Sequence, residues 1–238
     1  MASDVHGESG LDGPQFPEPT VGLVPEHAVE LIHRILLNHP EPVTLVPTAP
    51  LTNIALLLTR YPDSAARIHE IVLMGGSTGR GNTTPAAEFN ILTDPEAADI
   101  VFGSGVPVTM CGLNVTHQAL ATPEVLARFE ALGTELGDIC AGLLAYFASA
   151  YSRLWDMPHP PLHDPVAVAR VIAPAIVECV DANVSVELHG RFTRGATVVD
   201  FPRDPGRPTN AKVAMALDAR LFWDHMVDAV AALGSRSA

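Results

Sequence analysis

Two amides and a carboxylate gather in Asn82-Thr83-Thr84-Pro85-Ala86-Ala87-Glu88-Phe89-Asn90. This stretch follows the apolar run Ile71-Val72-Leu73-Met74 and the pair Gly75-Gly76. Each carboxylate oxygen accepts hydrogen bonds, and each amide both donates and accepts, so the set can grip a polyhydroxylated ligand. A loop just past the carboxyl end of a strand is where open α/β sheets bind ligands. From these residues alone, a polar turn whose Asn side chains hold their own backbone is the simpler reading.

The elements that must position this loop follow from the apolar pattern. Residues 26–38 carry Val29, Leu31, Ile32, Ile35 and Leu36 at helical spacing. Residues 43–46 read as a short buried strand, 51–61 as a helix stopped by Pro62, and 68–74 as the next strand, ended by Gly75-Gly76. Asp94 suits an N-cap and Pro95 a first helical position, so a helix opens there and runs to about Phe102. A third strand spans 106–110. Strand and helix alternate at short intervals, which predicts a three-layer, Rossmann-like α/β fold: a mostly parallel sheet with helices on both faces. After Thr116 the pattern becomes helical, with an α-rich insertion over 117–160. A helix follows over 164–172, then strands over 182–188, 196–201 and 211–217, and a closing helix over 219–233. Residues 1–24 are rich in Gly and Pro and read as a loop. No repeat or linker divides the chain, so one domain is expected over 1–238.

Bulk properties exclude several classes. The 238 residues are enough for a sizeable core, and a 47% hydrophobic content argues against disorder. A net charge of −13 argues against nucleic-acid or anionic-membrane partners, which want Lys/Arg stripes. No apolar run approaches a bilayer span, and the acidic first twenty residues are unlike a signal peptide. Cys111, Cys140 and Cys179 are widely spaced and form neither a zinc pattern nor a disulfide framework, so a reducing cytoplasm is the simplest setting. No GxGxxG follows an early strand, which argues against a dinucleotide-binding protein.

Four blocks occur in order: Val5-His6-Gly7-Glu8-Ser9-Gly10-Leu11-Asp12-Gly13, Val43 to Ala55 (VTLVPTAPLTNIA), Met74 to Asn90, and Pro161-Leu162-His163-Asp164-Pro165. Together they closely resemble the inosine–uridine-preferring nucleoside hydrolases, over nearly the whole chain. The resemblance implies hydrolysis of the N-glycosidic bond of purine or pyrimidine ribonucleosides, a calcium cofactor and a homo-oligomer, dimer or tetramer. It assigns Asp164 as a calcium ligand and ribose contact, and the Thr48 carbonyl as part of the calcium shell. It also assigns Glu88, Asn90 and Asn82 as sugar contacts, Met74 as the apolar contact under the sugar, His163 as a candidate acid for the leaving base, and His6 as a mobile-loop residue facing the base. Each has a plainer role available: Asp164 as an N-cap, Thr48 as a loop residue, Met74 as core, and the histidines as solvated or backbone-bonded rings. Tyr151 and Trp155 can stack on a base or simply pack at a helix end. The base preferred is not legible.

The family opens with an Asp-rich motif, DxDxxxDD, whose aspartates bind calcium and activate water; the sequence contains none. The chain therefore reads as a nucleoside hydrolase without its amino-terminal catalytic segment, through a misassigned start or a split gene rather than a new function. The alternative is a non-catalytic ribose- or nucleoside-binding remnant, or a subunit completing a partner. The expected outcome is slow or undetectable hydrolysis of inosine and uridine and weak calcium binding. Losing a catalytic base typically costs a factor of about a hundred to ten thousand. A reducing-sugar assay on the purified chain measures it, and fast calcium-dependent turnover would contradict it.

Overall fold

A computed structural model describes residues 7–202 and 207–235. The described residues fall into two compact units. The larger spans Val24–His117 and His163–Leu217. Its elements in chain order are α1 (Ala28–Asn38), β1 (Val43–Leu45), α2 (Thr52–Arg60), a 3₁₀ turn (Pro62–Arg67), β2 (Ile68–Met74), α3 (Phe89–Thr93), α4 (Pro95–Phe102), β3 (Val108–Cys111) and α5 (Leu113–Thr116). The smaller unit contributes α6 (Pro123–Glu130) and α7 (Glu135–Trp155) before the larger resumes. The larger unit then adds α8 (Asp164–Ile172), a 3₁₀ turn (Pro174–Ile176), β4 (Val177–Val186), β5 (Thr197–Asp200) and β6 (Ala211–Leu217). The closing helix α9 (Ala219–Gly234) belongs to the smaller unit.

One six-stranded sheet organises the larger unit, in the order β1-β2-β3-β6-β4-β5. β1, β2, β3 and β6 are parallel, while β4 runs antiparallel to both β6 and β5. The three strands expected to be adjacent and parallel are so. The second half of β2, residues 71–74, is a continuous apolar run because it is covered on both faces: Ile71, Val72 and Leu73 are fully buried. Helix α2 packs against both α1 and α4, and α8 packs against β2 and β3. The core gathers Leu36, Leu57, Ile71, Leu73, Val101, Met110 and Val213. Among the described residues the ladder from β1 to β6 is continuous, and the sheet's two edges are β1, a half-buried strand of three residues, and β5.

The smaller unit is helical. Thr134 caps α7 by accepting from Gly137 N–H, and Asp156 ends it in the left-handed region at φ 55°. Tyr151 is buried with its ring between Phe147 and Trp155, each centroid 4.6 Å away. Phe129 meets Trp223 edge to face at 6.3 Å. Among the described residues no helix is long and apolar enough to cross a membrane.

Sequence and structure differ at instructive places. β4 begins at Val177, five residues before the expected start, because its first half pairs with β6 on an alternation the sequence hides. The short helices α3 and α5 went unread, since four or five residues carry no periodicity. Asp94 is the expected N-cap: its Oδ1 accepts from Ala97 N–H at 3.1 Å. Its Oδ2 also accepts from the Thr52 hydroxyl at 2.5 Å, tying the start of α4 to the start of α2. Asp94→Ala removes both bonds, and a loss of about 1–2 kcal/mol is expected for such a cap. The urea midpoint measures it, and an unchanged midpoint would show that the tie contributes nothing.

Candidate active site

The carboxyl ends of β1, β2 and β3 carry the site. Pro47, just past β1, accepts from Met74 N–H at 3.0 Å, which sets half-buried Thr48 beside the end of β2. Met74 is paired with Cys111 of β3, and Gly75 donates to Cys111 C=O at 3.2 Å. Gly76 then turns the chain in the left-handed region at φ 75°, which its Cβ-free backbone permits. Leu113 N–H donates to Gly76 C=O at 2.9 Å.

Glu88 closes the loop. It is 3% exposed and is the N-cap of α3. Its Oε2 accepts from Gly76 N–H at 2.9 Å and Ile91 N–H at 3.1 Å, and its Oε1 from Asn90 N–H at 2.9 Å. Burial pushes its carboxyl above the ordinary range, the three donors pull it back, and the nearby Asp164 charge adds to the rise.

Both asparagines hold backbone, as the simpler reading of the loop has it. Asn90 Nδ2 donates to Met74 C=O at 3.0 Å and lies 3.4 Å from its sulfur. Asn82 Oδ1 accepts from Phe89 N–H at 3.0 Å. That use leaves groups over. Among the described residues, Asn82 keeps its NH₂, Asn90 keeps its carbonyl oxygen, and Glu88 keeps a lone pair on Oε1.

Asp164 opens α8, and the capping position falls to His163, which makes no side-chain cap bond. The plain N-cap role for Asp164 is therefore not realised. Two measures of Asp164 pull apart: its residue surface is open, while protein atoms crowd its carboxyl enough to push it up to about 6. Both hold for a carboxylate walled by protein on one side and open on the other. Among the described residues none donates a hydrogen bond to it or lends it a positive charge. His163 Nδ1 lies 2.8 Å from the Thr116 hydroxyl, and its ring is 5.8 Å from that of His117.

The larger unit thus holds Thr48, Met74, Asn82, Glu88 and Asn90 on connected strand ends and loops, with Asp164 in electrostatic reach of Glu88. His6 lies outside the described residues. Tyr151 belongs to the smaller unit, stacked among its own neighbours. Sequence reading took Gly76 only as the end of the strand and gave no role to Ser77, Thr116 or Thr197. The Met-Gly-Gly run after a strand was a usable signal for Gly76, whereas Thr197 gave none, since its partner lies 120 positions away.

A mixed α/β sheet with a polar loop and carboxylates at the ends of its parallel strands has the architecture in which open α/β folds bind small polar ligands. The chain belongs to the inosine-uridine preferring nucleoside hydrolase family, whose model matches residues 1–224. A pyrimidine-specific ribonucleoside hydrolase RihA of Shewanella sp. (strain MR-7) is 48% identical over 233 residues, covering 97% of this chain and 73% of the relative. The protein of that name from Escherichia coli (strain SMS-3-5 / SECEC) is 47% identical over 229 residues, covering 96% and 74%. Among solved structures, a purine-preferring ribonucleoside hydrolase from Gardnerella vaginalis superposes with a TM-score of 0.89 at 34% identity, covering 98% and 74%.

The Asp164 shift makes a pH prediction. Its folded pKa of about 6 lies above the ordinary 3.8, so the native state holds the proton more tightly than the unfolded chain. Its contribution to stability is present below about pH 4 and is lost as pH rises through about 6. Asp164→Asn is expected to remove that loss, raising the melting temperature at pH 7 relative to the parent while leaving it near the parent value at pH 4. Equal differences at both pH values would show that Asp164 does not titrate in this window.

Proposed function

We propose that this protein cleaves the N-glycosidic bond of ribonucleosides to ribose and free base, with pyrimidine nucleosides preferred. The observation that carries it is the set of polar groups left over on the loop after β2: the Asn82 NH₂, the Asn90 carbonyl oxygen and a Glu88 lone pair. Ribose hydroxyls donate and accept at once, so this mixed set suits a sugar diol better than a single anion or cation. Bond breaking builds positive charge on the sugar in an oxocarbenium-like transition state. Asp164, ionised at neutral pH, is the charge that answers it, and Glu88 deepens the negative field. His163 is the candidate donor to the departing base, steadied by Thr116. The pyrimidine preference rests on the relatives at 47–48% identity.

Calcium is the cofactor the resemblance implies, with Asp164 and the Thr48 carbonyl as its holders. Both Glu88 oxygens already accept from backbone N–H groups, which leaves Asp164 as the carboxylate without a donor among the described residues. Among the described residues no group of three or more His, Cys, Asp or Glu comes together to hold a metal. A calcium ion takes six to eight oxygens. These residues do not by themselves fit such a site. That shortfall favours a second reading, ribose or nucleoside binding without turnover. Three free cysteines support a reducing compartment, the cytoplasm, as the setting.

Titration calorimetry with uridine, inosine and D-ribose, alongside ribose release, tests both readings. Tighter binding and faster release with uridine than inosine are expected, and Asn90→Ala should weaken uridine by about tenfold for a lost buried hydrogen bond. Binding without release supports the second reading. Failure to bind both uridine and D-ribose overturns both.

A further inference from the structure

Thr197 is the first residue of β5, at the far edge of the sheet from β1, yet its side chain reaches the site loop. Its hydroxyl accepts from Ser77 N–H at 2.9 Å and donates to Ser77 C=O at 2.7 Å. Both backbone groups of Ser77 are thereby met by one atom. Ser77 is 6% exposed, so water has little access to replace that atom. The neighbouring Gly76 is equally confined: a Cβ there would lie 2.9 Å from Met110 Sδ and 2.9 Å from Thr197 Cγ2.

We propose that Thr197 is a positioning residue for sugar binding, clasping Ser77 so that the Gly75–Ser77 turn presents Gly76 N–H to Glu88. The chain of contacts is short. Thr197 fixes Ser77; Ser77 adjoins Gly76; Gly76 donates to Glu88; Glu88 orients the amides of Asn90 and Ile91. The same hairpin also leans on α3 directly. Gly195, at φ 80°, runs so close that a Cβ would meet Leu92 Cα at 2.9 Å. Leu92 N–H in turn donates to Glu88 C=O at 2.8 Å. Arg194 adds a pair with Glu96 at 2.7 Å, but both side chains are about half exposed, where such pairs contribute little. The antiparallel edge of the sheet therefore acts as a brace behind the parallel strand ends. The link to sugar rests on the function proposed above; the link to Glu88 geometry does not.

Four proteins decide it: the parent, Thr197→Val, Thr197→Ser and Arg194→Gln. Valine fills the space without the hydroxyl, serine keeps the hydroxyl without the methyl, and R194Q removes the exposed Glu96 pair without touching Ser77. The readouts are amide hydrogen exchange at Gly76 and Ile91, affinity for uridine and D-ribose, and, where ribose is released, KM and kcat. In T197V faster exchange at both amides, about tenfold weaker binding and a raised KM with a nearly unchanged kcat are expected, the size following from one or two lost buried hydrogen bonds. T197S should restore exchange and affinity, and R194Q should leave both at parent values. Parent-like T197V, an unrescued T197S, or an R194Q as impaired as T197V would each overturn the clasp. If the parent binds neither uridine nor D-ribose, the functional reading falls, and exchange alone then judges the clasp: unchanged Gly76 and Ile91 amides in T197V refute it.

Discussion

The loop beyond β2 depends on one buried carboxylate. Glu88 gathers N–H groups from Gly76, Asn90 and Ile91, and these donors would otherwise point into a region that water hardly reaches. An unsatisfied buried donor costs about 1–3 kcal/mol, so removing the carboxylate would orphan several at once. Gly76 belongs to the turn after β2, while Asn90 and Ile91 belong to α3. Glu88 thus joins the two sides of the loop, and every group left over for a ligand takes its position from that junction. The cost is a carboxyl group held in a dry place, where burial and the Asp164 charge both push its pKa up. A site that receives a developing positive charge is one where such an arrangement serves a purpose.

The fold was legible where the chain obeys simple periods. β2 and α8 stand where their apolar patterns put them, and the Asp94-Pro95 pair opened α4 as capping chemistry requires. The parallel order of β1, β2 and β3 followed from short strand–helix alternation. What stayed hidden was non-local. The first half of β4 shows no clean alternation because it is set by pairing with β6. The reversal of β4, antiparallel to both β6 and β5, has no local signal either.

The site was legible in a different way. Residue types in the loop after β2 announced hydrogen-bonding capacity, but not who would use it. Asn82 and Asn90 each spend part of that capacity on backbone, as the bland reading has it, and keep part. The two readings were never exclusive, since an amide has more than one bond to give. Asp164 shows the converse. A residue before proline invites the N-cap reading, yet His163 takes the capping position and Asp164 stands without a donor among the described residues. A carboxylate with no structural employment, in electrostatic reach of a second one, is what its residue type alone could not reveal.

Thr197 marks the limit of sequence reading most clearly. A threonine opening a strand is ordinary by every local rule, since β-branched residues favour strands. Its importance arises because the sheet brings residue 197 to residue 77, and a single hydroxyl can serve as donor and acceptor to one peptide. Positioning of this kind is distributed: no side chain in the chain from Thr197 through Ser77 and Gly76 to Glu88 is special alone. Precision at a sugar site comes from such second-rank contacts, because a small displacement of a hydrogen-bonding group forfeits much of its strength. In the proposed clasp the outer strands, through Thr197, help to set the loop at the parallel strand ends.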